Sequence, residues 1–161
     1  MTDSWESEIG ALLSELADVQ SALLETLHEK RRILATSDHQ ALASLAGREQ
    51  ALIARLQACH DRRQALLSRA GTEGQPADSI RSLSNRLPEE SRGSVQDSIR
   101  EAADRSRLLQ HQSLTNWVLV QRTLLHLSQM IEIIATGGRP RPTYGKGSDR
   151  AQSGALVDRA A

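Results

Sequence analysis

WESEIGALLSELADVQSALLETL (Trp5–Leu27) decides the fold. Its large apolar residues fall at Trp5, Ile9, Leu12, Leu16, Val19, Leu23 and Leu27, in steps of mostly three and four. On an α-helix that spacing draws one continuous apolar stripe, the signature of a helix laid along another helix. Asp3 and Glu6 stand at capping-box spacing, so the helix is expected from about residue 3, with Glu25, Glu29 and Lys30 on its wet face.

The same register resumes downstream. Ser37 and Gln40 form a second box, which puts a turn near Thr36 and a second helix over 38–70. Its stripe is Leu42, Leu45, Leu52, Leu56, Cys59, Leu66 and Ala70, with Glu49 and Arg63 filling two core slots. Polar residues in such slots cost stability and fix register. Gly71 is expected to end this helix before a loop over 71–78. So short a first connection makes the two helices antiparallel neighbours. Ile80, Leu83 and Leu87 share one side of a short helix near 79–87. Pro88 sits at a favoured N1 position, with Glu89 and Glu90 in the positive first turn of a third long helix over 88–135.

That last helix has two characters. Over Ser91–Gln112 it is polar, with a sparse stripe of Val95, Ile99, Ala102 and Leu109; from Trp117 to Ile134 it is apolar nearly all round. Three packed helices can hide one stripe each, so the surplus marks a surface for a partner. The fold class is all-α: three main antiparallel helices in an elongated coiled-coil-like bundle. Aromatics at 2%, with no Phe, agree with a core of aliphatic side chains and argue against a β-sandwich. Residues 1–136 form the helical domain. Residues 137–161, rich in Gly, Pro and Ser, form a basic tail expected to be disordered in isolation.

Composition excludes several functions. With 20 Lys and Arg against 20 Asp and Glu, the chain gives no electrostatic case for nucleic acid or an anionic membrane. One cysteine, Cys59, allows no internal disulfide and fits a reducing compartment. The acidic start MTDSWESEIG lacks the basic and apolar regions of a secretory signal, and no apolar run is long enough to span a bilayer. A cytoplasmic protein is expected. In the tail, GGRPRPTYGKGS (Gly137–Ser148) is not a phosphate loop: Pro140 stands where the first Gly is needed, and Gly147 follows Lys146. Its Gly-Arg-Pro has one arm of a minor-groove hook but not the other. No His pair has metal-ligand spacing, and no nucleophile stands with a base. No enzyme, cofactor or metal is expected.

Asn116–Ser148, NWVLVQRTLLHLSQMIEIIATGGRPRPTYGKGS, has an Asn ahead of a long Leu-rich helix, then a flexible turn, then Tyr-Gly in a Gly-rich tail. With two heptad helices before it and the Leu-Pro-Glu-Glu start at Leu87–Glu90, the chain resembles the FlgN family of flagellar export chaperones. The resemblance implies an all-helical, non-catalytic protein. Such a protein binds the C-terminal segments of the hook–filament junction proteins, keeps them unpolymerised and delivers them to the flagellar type III export gate. Its client surface would be Trp117, Val120, Leu124, Leu127, Ile131 and Ile134, and its gate contact Tyr144. The doubled Arg-Pro of 139–142 and the GALVDRAA end depart from the family pattern. Clients with amphipathic helical ends would be held through i, i+3, i+4 and i+7 anchors. A homodimer of the client-free protein is expected on the same apolar surface. The rival reading is a homo-oligomeric coiled-coil adaptor with no export role; a DNA-associated protein using the basic tail is disfavoured by the zero net charge.

Overall fold

The structure, a computed structural model, describes residues 2–136. Those residues form α1 (Thr2–Thr36), α2 (His39–Thr72), α3 (Ile80–Ser84) and α4 (Glu89–Thr136), with no strand among them. They divide into two compact units, one ending at Gln121 and the other beginning at Arg122. The tail of 137–161, Tyr144 included, lies outside the described residues.

In the first unit α1 and α2 form the closest-packed pair. Their direction is fixed by ion pairs between the two helices: Arg69 meets Glu8 at 2.8 Å near one end, and Lys30 meets Glu49 at 2.6 Å near the other. Low residue numbers on α1 therefore face high numbers on α2, as the short turn requires. The α1 stripe is the core: Ile9, Leu12, Val19, Leu23 and Leu27 are buried, and Trp5 and Leu16 pack against them. From α2 come Leu52, Cys59, Leu66 and Ala70. Burying side chains of this size stabilises by about 1.5–3 kcal/mol each.

The turn between α1 and α2 differs from the expected capping box by one residue. Asp38 is the N-cap, its carboxylate accepting from the Ala41 N–H at 3.0 Å. Ser37 instead takes the left-handed backbone, φ 56°, that reverses the chain. At the front, α1 already includes Thr2, one residue before the expected start. The end of α2 also moves. Gly71 remains helical, and Gly74, at φ 69°, supplies the left-handed residue. The Gln75 N–H donates to the Ala70 carbonyl at 2.8 Å and the Gly74 N–H to Gly71 at 3.2 Å, the paired bonds of a Schellman ending.

α3 is held by a reciprocal Ser79–Ser82 box, and it drives Ile80 and Leu83 into the core, followed by Leu87. Pro88 is the cap of α4 rather than its first residue, since its carbonyl accepts from the Arg92 N–H at 3.0 Å. Along residues 89–121, α4 runs parallel to α1. Gln20 reaches Ala102, and Leu27, seven residues on, meets Asn116. Up-down-up order follows.

Two buried polar residues pin that alignment. Gln20 is 1% exposed; its Nε2 donates to the Ala102 carbonyl at 3.0 Å and to Ser106 Oγ at 2.9 Å, and its Oε1 accepts from Arg105 Nε at 3.2 Å. Asn116 is 3% exposed, and its Nδ2 donates to the Leu27 carbonyl at 2.9 Å. A slip of α4 by one turn would strand both amides, so they select one register at some cost in stability.

Candidate functional site

The described part of the second unit is residues 122–136, the end of α4. Its large apolar residues, Leu124, Leu125, Leu127, Met130, Ile131, Ile133 and Ile134, are between 44% and 77% exposed. At 3.6 residues per turn, Leu124, Leu127, Met130, Ile131 and Ile134 fall within about 120° of one another around the helix. Leu125 and Ile133 lie outside that sector. The segment is therefore less uniform than its composition suggests: it presents one broad apolar stripe with two further apolar residues behind it. Such a stripe on a free helix face is what an amphipathic partner helix recognises.

In the first unit a groove of about 540 Å³ opens beside α4, lined by Leu23, Leu27, Ile53, Leu56, Leu114 and Trp117 among others. Trp117 is 58% exposed on its rim, together with Ile53 and Leu114. Val120 is half-buried. Of the residues expected to bind a client, Trp117 is thus joined to a groove wall, while Leu124, Leu127, Ile131 and Ile134 are exposed along the end of α4. Ile53 and Leu114 were not singled out by sequence. Each is a large aliphatic residue standing off the heptad stripe, and what joins them is the groove itself.

The two polar core slots of α2 have distinct fates. Glu49 is half-buried and paired with Lys30. Arg63 is half-buried and makes no hydrogen bond or ion pair with another described residue. Neighbouring charges are surface partners of the helix pair: Arg69 holds the Glu8 carboxylate and lies 4.3 Å from the centre of the Trp5 ring. The hydrogen bond from Arg69 holds the Glu8 carboxyl below the usual range, with burial pulling the other way. Burial pushes the Cys59 thiol up, reinforced by the Glu15 charge. A thiol so placed is a small core residue rather than a nucleophile. Among the described residues no group of three or more His, Cys, Asp or Glu is placed to hold a metal, and no helix is long and apolar enough to cross a membrane.

What the geometry offers is adhesion: exposed aliphatic surface on long, cap-defined helices. A family model described as FlgN protein matches residues 1–151. Neither a curated protein nor a solved structure matches the chain.

Proposed function

The chain belongs to the FlgN family, a family of flagellar export chaperones, and from that premise we propose that it holds the C-terminal helices of hook–filament junction proteins on the end of α4. The observation that carries this reading is the exposed stripe of Leu124, Leu127, Met130, Ile131 and Ile134. An isolated aliphatic surface of this kind invites a cover, and the family binds flagellar client proteins. A client helix laid along the stripe would bury its own apolar face and lose the surface through which it polymerises. Trp117 and Val120 continue the same three–four spacing toward the N-terminus of α4 and complete the proposed client contacts.

Residues 1–136 would then act as the client-holding domain and 137–161 as a tether to the export gate. In the tether, Tyr144 is the docking residue, and Arg139, Arg141 and Lys146 steer it toward an acidic surface. Arg-Pro pairs favour an extended backbone, which suits a tether. The reaction is binding and release in the cytoplasm, with no chemical step and no cofactor.

Co-expression with tagged C-terminal segments of the two junction proteins of the same organism tests this. A one-to-one complex, lost in Leu124→Asp and Leu127→Asp, is expected. The exposed stripe also suits a homo-oligomeric adaptor. That reading predicts a stable symmetric oligomer alone and no complex with either segment. Tyr144→Ala should leave the client complex intact while reducing export and motility; unchanged export would remove the docking role.

A further inference from the structure

Inside the first unit, all four helices line a cavity of about 380 Å³. Its walls are almost wholly apolar and include Leu12, Leu56, Ile80 and Ile99. The volume falls within the range of about 300–1,000 Å³ common to small-molecule sites. Water finds few hydrogen-bond partners against such walls, whereas an alkyl chain gains dispersion contacts on every side. Four helices leave no room for a fifth, so the guest must be thin.

Two ionisable side chains of α2, His60 and Arg63, complete the lining, and no carboxylate does. His60 is exposed and Arg63 half-buried, while Leu12, Cys59 and Ile80 are buried, so both ionisable side chains keep contact with solvent. The Arg63 guanidinium makes no hydrogen bond or ion pair with a described residue, whereas on the same helix Arg55 pairs with Glu15 and Arg69 with Glu8; Arg62, also unpaired, does not line the cavity. An uncommitted guanidinium over an apolar cavity is complementary to a carboxylate at the end of an alkyl chain.

We propose that this cavity binds a free single-chain carboxylate amphiphile, with its alkyl chain among Leu12, Leu56, Ile80 and Ile99 and its carboxylate on Arg63. The site shares no residue with the stripe at the end of α4, and its occupancy does not depend on the export role.

Dodecanoate below its micelle concentration is the probe, titrated calorimetrically into the full chain, with dodecanol as the uncharged counterpart. Saturable one-to-one binding is expected. Arg63→Gln should weaken dodecanoate by about tenfold, the value of one charge-assisted contact, and leave dodecanol unchanged. Ala102→Leu, which fills the cavity from α4, should abolish both. Cys59 lines the same cavity, so dodecanoate should slow its alkylation by a small maleimide, a readout that needs no variant. Circular dichroism checks that each variant is folded. Absence of saturable binding overturns the proposal. So does equal loss of dodecanoate and dodecanol in folded Arg63→Gln, or wild-type affinity in Ala102→Leu. Loss of dodecanoate in Leu124→Asp with Ala102→Leu unaffected would move the guest to the exposed stripe and likewise overturn it.

Discussion

Asn116→Asp is the sharpest probe of how α4 is seated. Asn116 is 3% exposed, its Nδ2 donates to the Leu27 carbonyl at 2.9 Å, and its Oδ1 has no partner among the described residues. The substitution removes the donor and sets a second acceptor against that carbonyl. Ionised, the new carboxylate is buried and unpaired, so its pKa must rise in the folded state above the unfolded value of about 3.9. A rise of about two units costs about 2.7 kcal/mol at neutral pH. For an acid with a raised folded pKa, the penalty is complete above that folded pKa. It disappears below the unfolded pKa, where the protonated carboxyl can donate to Leu27 again. The deficit relative to wild type should therefore be about 3 kcal/mol at pH 7 and about 1 kcal/mol at pH 4.5. Asn116→Leu should be nearly neutral, because it removes the orphaned oxygen together with one hydrogen bond worth about 1 kcal/mol. Urea unfolding followed by circular dichroism at both pH values measures all three proteins. An Asn116→Asp deficit that is small at pH 7, or equal at both pH values, would refute the burial of this side chain against α1.

Two backbone positions give opposite signs. Ser37→Gly should stabilise by about 0.5–1 kcal/mol and Gly74→Ala destabilise by about 1 kcal/mol, because both positions are left-handed; the urea midpoints report this, and equal signs would contradict the turn geometry. Glu8→Gln should cost little at pH 7, since the Glu8–Arg69 pair is solvent-screened. The contribution of Glu8 is present above the usual carboxylate pKa and is lost as pH falls through the lowered folded value, so the variant and wild type should converge in acid. Divergence in acid would contradict that assignment.

Helices and their stripes were legible because the heptad spacing of Trp5–Leu27 and Leu42–Ala70 follows the packed interface, with Leu42 half-buried at its edge. Cap positions were less so. Ser37 and Asp38 are both good caps, and spacing alone cannot say which takes the left-handed turn. Gly71 and Gly74 pose the same ambiguity, settled by the left-handed φ of Gly74 and the Schellman bonds around it. The buried roles of Gln20 and Asn116 were not legible, Asn116 being read only as the start of a family pattern, because an apolar heptad reading assigns amides to solvent; those roles depend on what α1 and α4 place opposite each other. α1 contacts α2, α3 and α4, so its buried band widens to include Leu13, Gln20 and Thr26 beside the expected stripe. The apolar surplus of α4 was visible in composition, but its concentration in one sector, and the groove formed with Ile53 and Leu114, emerge only with the helices in place.

Placement of the client on the end of α4 is tested most directly by site-specific photocrosslinking. A photoreactive residue is put at Leu127 or Ile131, with Gln57 on the exposed face of α2 as the control, in the presence of a junction-protein C-terminal segment. Strong adducts are expected from Leu127 and Ile131 and none from Gln57. Adducts from Gln57 alone, or adducts from Leu127 only to a second copy of the chain while the segment binds elsewhere, would contradict that placement.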